Sequence, residues 1–119
     1  MAKPTAVLVC RDLIFEAKIQ GTCDALGIEL AVVASIGEVS DACTVTTRLV
    51  LLDLADPSTS LDAMRELRNS LSSDIGLLAF GSHVDIERLR EARTAGCDPV
   101  LPRSEFAATL PTLLQRACE

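Results

Sequence analysis

Short, dense apolar runs alternate along the chain with longer segments whose apolar residues recur every three or four positions. The runs are Ala6–Cys10, Leu30–Ala34, Leu49–Leu52 and Ile75–Phe80, with a weaker one at Val100–Leu101. They are short, rich in β-branched residues and do not alternate with polar residues, as expected for strands buried on both faces of a parallel sheet. The intervening segments read as helices. Residues 12–26 place Phe15, Ile19, Thr22, Cys23 and Leu26 on one stripe, and Gly27 ends it. Residues 36–43 open with Ser35 and carry Glu38 three positions on, the spacing of a capping box. Residues 60–71 bury Leu61, Met64, Leu67 and Leu71 behind a Thr59/Asp62 box. Residues 84–95 bury Ile86, Leu89 and Ala92 behind Ser82 and Asp85, and stop at Gly96. In the last segment Pro111 would break a helix interior, so the spacing predicts a start near Thr109 with Leu110, Leu113, Leu114 and Ala117 packing.

A strand followed by a helix, repeated through the chain, defines an α/β fold with right-handed crossovers and helices on both sheet faces. Pro99 precedes the weak fifth run and can donate no ladder bond, so that strand belongs at a sheet edge.

Composition narrows the function. At 119 residues the chain is expected to form a single domain, 1–119. Eleven basic against 17 acidic residues give a net charge of −6, which repels phosphate backbones and argues against nucleic acid. With three Phe, no Tyr and no Trp, it lacks platforms for stacking bases, flavins or sugars. The five cysteines (Cys10, Cys23, Cys43, Cys97, Cys118) form no CxxC and no Cys/His cluster, and His83 is the sole histidine. Lys3 precedes an apolar run too short for a signal core or a membrane span, so a reduced, cytoplasmic protein without membrane contact is expected.

In open parallel sheets, sites form beyond the carboxyl ends of the strands. Those ends carry Cys10-Arg11-Asp12, Asp53 through Asp56-Pro57, Gly81-Ser82-His83 and Pro102-Arg103-Ser104. A carboxylate at the tip of the entirely apolar run Leu49–Leu52 makes Asp53 the leading candidate. His83 beside Ser82 reads more readily as a loop or capping residue than as an acid–base group. A phosphatase loop fails, because five residues on from Cys10 no arginine follows, and neither GxGxxG nor GxxxxGK[ST] is present. Arg65, Arg68, Arg88, Arg90 and Arg93 read as solvated helix faces interleaved with Glu66, Glu87 and Glu91.

Here the sequence resembles the receiver domains of two-component response regulators. The stretches that carry the resemblance are Leu49 to Pro57, with proline four residues after Asp53, and Glu91 to Asp98 with its Ala-Gly-Cys-Asp ending. The resemblance implies a three-layer, doubly wound sheet of five parallel strands in the order 2-1-3-4-5, with Asp53 at the phosphoacceptor position. Its supporting positions are altered. Where receivers carry an acidic pair for Mg²⁺ stand Cys10 and Arg11, with Asp12 one place late. Where a Ser or Thr is expected stands Gly81, with Ser82 one place late. The lysine before a proline is replaced by Arg103 with Pro102 in front of it.

Aspartyl phosphorylation needs a carboxylate nucleophile, a bridging divalent cation and a cation to stabilise the product. Cys10 is a poor Mg²⁺ ligand and Arg11 repels the ion, leaving Asp12, Asp53 and Asp56 as the oxygens a retained site would use. The simpler use of these residues is an internal ion pair in which Arg11 and Arg103 satisfy Asp53. The expected protein is a non-enzymatic, cofactor-free signalling module that acts by contact with a histidine kinase, an output protein or a second copy. A Mg²⁺-dependent phosphoacceptor in a phosphorelay is the alternative. The Val100–Pro102 edge and the last helix are the expected contact surface.

Overall fold

A computed structural model describes residues 2–119. Five parallel strands, β1 (Thr5–Val9), β2 (Glu29–Val33), β3 (Thr47–Asp53), β4 (Gly76–Gly81) and β5 (Val100–Pro102), form one sheet in the order β2-β1-β3-β4-β5. The helices are α1 (Leu13–Leu26), α2 (Val39–Ala42), α3 (Leu61–Ser70), α4 (Ile86–Ala95) and α5 (Arg103–Ala117). The predicted α/β class and strand order both hold, and β5 lies at an edge as Pro99 required.

The two-residue period of the strands sorts their side chains into two cores. Val7, Val9, Val50, Leu52, Leu77 and Ala79 pack with Met64 and Leu67 of α3 and Leu89, Ala92 and Ala95 of α4. Ala6, Leu8, Leu49, Leu51, Leu78 and Phe80 face the other way, onto Ile19 and Cys23 of α1 and Phe106, Leu110 and Leu114 of α5. Continuing that second row by one step on each strand brings Cys10 and Asp53 onto the α1/α5 face. The register pairs Asp53 with Phe80 directly. The site is therefore placed by strand parity before any loop is considered.

Several local expectations are corrected. The run at Leu30–Ala34 is not buried on both faces: β2 is the opposite edge strand, and its Val32 is exposed. Ser35 makes no capping bond. A 3-10 turn at Ile36–Glu38 precedes α2, Glu38 accepts from Ala34 N at 3.1 Å, and Ser58 of a distant loop takes the Ile36 N–H at 3.0 Å. Ser60, not Thr59, caps α3 by accepting from Ala63 N, because Thr59 is wholly buried in the loop before it. Asp85 caps α4, and Ile86 is exposed rather than packed. The largest departure is α5, which begins at Arg103 and carries Pro111 inside it. The lost backbone bond and the ring clash cost about 3 kcal/mol. Phe106, Leu110 and Leu114, spaced four apart on one stripe and fully buried, each contribute about 1.5–3 kcal/mol and hold the helix across the proline.

Candidate functional site

Asp53 ends β3 with only 2% of its surface exposed, and each of its carboxylate oxygens meets a donor from the same chain. Oδ1 accepts from Arg103 Nη2 at 2.9 Å and from the Ala55 amide at 2.9 Å. Oδ2 accepts from the Cys10 thiol at 3.3 Å. The thiol's single proton has two acceptors, Asp53 Oδ2 and, at 3.7 Å, Asp12 O. Burial first, with the hydrogen bond to and negative charge of Asp53, pushes its pKa up to about 12, although the hydrogen bond to Asp12 O works the other way. Arg103 is itself held in place. Its guanidinium lies 5.2 Å from the centroid of Phe15 and 5.4 Å from that of Phe80, and Phe80 stacks on Phe106 at 4.3 Å. Two rings thus face the arginine, and the third, Phe106, packs against both of them.

Arg11 does not reach Asp53. It pairs with Asp56, its Nε lying 3.2 Å from Oδ2, while two-thirds of its own side chain stays in solvent. This is a charge contact without hydrogen-bond alignment, since Asp56 Oδ2 is buried with no hydrogen bond to it. The other oxygen of Asp56 accepts from Ser58 N at 2.9 Å and Ser58 Oγ at 2.7 Å. Asp12 lies one place beyond the strand end and caps α1, its Oδ1 accepting from Ile14 N at 3.0 Å and Phe15 N at 3.1 Å.

Gly81 ends β4 where a hydroxyl side chain was sought, and its neighbour fills that space. A Cβ built on Gly81 would lie 3.1 Å from Leu54 Cβ and 3.2 Å from Leu54 Cδ1. The hydroxyl is therefore absent for a packing reason as well as a sequence one. Ser82 and His83 follow in an exposed turn, with Ser82 Oγ accepting from Val84 N at 3.4 Å.

Arg88 is a participant the sequence did not mark. Instead of lying in solvent, it reaches from α4 to the loop after β3. It donates to Leu54 O at 3.0 Å, Thr59 O at 2.5 Å, Thr59 Oγ1 at 2.8 Å and Glu91 Oε1 at 2.8 Å. Thr59 Oγ1 in turn donates to Asp56 O at 2.7 Å. The only sequence signal was its place one turn into a helix that follows a strand-end loop. Alternation with glutamates masked it.

The carboxylate oxygens at these positions are turned to partners within the chain. Mg²⁺ takes open carboxylate oxygens in near-octahedral geometry. Here the oxygens of Asp53 face Arg103, an amide and a thiol, Asp56 is engaged by Ser58 and Arg11, and Asp12 caps a helix. No group of three or more His, Cys, Asp or Glu side chains converges on a metal position among the described residues.

No family model matches the chain, and no curated protein matches it. Solved structures do. The chain superposes on the receiver domain of a sensor histidine kinase from Pseudomonas aeruginosa PAO1, with a TM-score of 0.77, 22% identity and 98% of each chain covered. That domain holds a magnesium ion in its active-site cleft. A signal receiver domain from Bermanella marisrubri matches with a TM-score of 0.75 and 19% identity over 99% of this chain and 100% of its own. An orphan response regulator of H. pylori gives 0.76 at 14% identity over 98% and 97%. The fold is that of a response-regulator receiver domain. Within that fold, Asp53 lies at the carboxyl end of the central strand. No helix among the described residues is long and apolar enough to cross a membrane.

Proposed function

We propose that the chain is a receiver-fold signalling module that works by protein contact, with Asp53 held in a permanent internal ion pair instead of serving as a Mg²⁺-dependent phosphoacceptor. One observation carries this reading: both oxygens of Asp53 are engaged by groups of the chain itself. Attack on phosphorus requires a free lone pair on one oxygen and a cation bridging it to the phosphoryl group. Oδ1 already accepts two bonds, one of them charge-assisted. Oδ2 accepts from a thiol that stays protonated throughout the physiological range. A side chain at position 81 would press on Leu54, so the position where receivers carry a hydroxyl is tightly packed as well as glycine here.

Under this reading the guanidinium of Arg103 occupies the role that a phosphoryl group and its counter-ion would otherwise fill, and the domain keeps one state. Arg88 supports this, because it ties α4 to the loop after β3 by several bonds. The protein is then neither an enzyme nor a cofactor carrier. Its partner is another signalling protein, a histidine kinase or an output protein, or a second copy of itself, and not nucleic acid or membrane. Among the described residues, four of the six exposed large apolar side chains, Leu13, Ile14, Val84 and Ile86, follow the carboxyl ends of β1 and β4, so that face competes with the β5 edge as the contact surface.

The test is incubation of the full chain with Mg²⁺ and acetyl phosphate, and separately with beryllofluoride. Intact mass and backbone NMR are followed, with Asp53→Asn as control. The expected result is no mass increment and no Asp53-dependent shift. A stoichiometric adduct that disappears in Asp53→Asn overturns the proposal and restores the phosphoacceptor reading.

A further inference from the structure

An open surface pocket shares Arg103 with the Asp53 site. It has a volume of about 370 Å³ and is lined by Phe15, Ser82, His83, Arg103, Ser104 and Ala107, within the usual range for small-molecule sites. We infer that it binds a small organic monoanion, a carboxylate attached to an apolar body.

The argument starts from unused donors. Arg103 gives a single N–H to Asp53 and makes no other hydrogen bond among the described residues. A guanidinium has five N–H donors in a planar fork, and the fork matches a carboxylate. The rings of Phe15 and Phe80 fix its plane, so little side-chain entropy remains to be lost on binding. Ser82, His83 and Ser104 add hydroxyl and imidazole groups around the same space, while Phe15 and Ala107 supply apolar wall. A carboxylate can take the free edge of the fork while Asp53 keeps the other, so binding and the internal ion pair are compatible.

Charge decides between ligand classes. One arginine and one histidine line the cavity, while Asp12, Asp85 and Glu105 stand close to its lining residues in sequence. That balance favours a single negative charge over the roughly double charge of a phosphate monoester. The apolar wall favours a ligand with a hydrophobic body over a bare inorganic anion.

The full isotope-labelled chain is titrated with benzoate, with neutral benzyl alcohol and with inorganic phosphate, following backbone amide shifts. Benzoate is expected to give saturable shifts confined to the residues around Phe15, 82–84 and 103–107. Benzyl alcohol and phosphate are each expected to bind more weakly by about tenfold or more, the effect of about 1.4 kcal/mol. Ala107→Trp, which fills the cavity from the helix side, is expected to weaken benzoate by a similar factor. Ser104→Leu serves the same purpose should the first variant fail to fold. Equal binding of benzyl alcohol, tighter binding of phosphate, unaltered benzoate binding in a folded cavity-filled variant, or absence of saturable shifts each overturns the inference. None of these readouts depends on whether Asp53 accepts a phosphoryl group, so the two proposals fail separately.

Discussion

Asp53 and Asp56 are three residues apart, both 2% exposed, and each has one arginine, yet they are held in different ways. Around Asp53, Arg103 lies against two rings with 29% of its side chain exposed, the Ala55 amide comes from backbone and the Cys10 thiol from a buried side chain. Around Asp56 the fixed partners are the Ser58 amide and hydroxyl, while Arg11, 67% exposed, only leans over the buried oxygen. A buried carboxylate needs donors that stay in place. Where an amide and a hydroxyl of one residue hold an oxygen the arginine is an accessory, and where a single amide shares the oxygen with a guanidinium the arginine becomes part of the fold.

Removing each arginine should expose that contrast. Arg103→Met leaves Asp53 buried without its charge partner. It should cost about 3 kcal/mol in urea unfolding, the low end for breaking a buried pair because Arg103 is partly solvated. The double variant Asp53→Asn/Arg103→Met should recover part of that loss, and strict additivity of the two single effects would show that the pair is not coupled. Gly81→Ser tests the packing beside Asp53. Its Cβ would press on Leu54, so a loss of about 1–2 kcal/mol is expected by thermal or urea unfolding. Arg11→Ala should cost about 1 kcal/mol, since Arg11 is itself mostly solvated although the Asp56 oxygen it faces is buried. A loss equal to that of Arg103→Met would erase the distinction between the two corners.

A further effect should appear at high pH and grow as the pH rises. The folded Cys10 thiol has its pKa pushed up from 9.0 to about 12, so the unfolded chain loses that proton first as pH rises. The stabilising contribution is complete below pH 9.0 and is lost progressively as pH rises toward 12. Cys23 and Cys97, pushed by burial to about 11, act in the same direction. Urea midpoints measured on both sides of pH 9.0 should fall on the alkaline side, and less steeply in Cys10→Ser.

The sheet was legible because parallel strands buried on two faces must be runs of aliphatic residues, and Leu49–Leu52 could be little else. Asp53 was legible as the charge interrupting that pattern. What escaped notice depends on contacts distant in sequence. Arg11 was assigned to Asp53 because both end neighbouring strands, but strand order does not say which of two carboxylates a flexible side chain will meet. Arg88 looked solvated because its partners, Leu54 and Thr59, lie 34 and 29 residues away. Phe106 went unnoticed because Pro111 was taken as a helix boundary, although the buried stripe around it outweighs the broken bond. Helix starts were misread for a similar reason: Ser35 and Thr59 have capping chemistry, but local geometry gave the work to Ser58 and Ser60.

The contact between Gly81 and Leu54 also bears on how this sequence can vary. Any side chain at position 81 presses on Leu54. Shortening Leu54 first opens a void in the buried cluster it belongs to, at about 2–5 kcal/mol. Either order of substitution passes through a weakened intermediate, so the two positions should change together or not at all. Among lineages carrying this domain, a glycine at one position should predict a bulky aliphatic residue at the other.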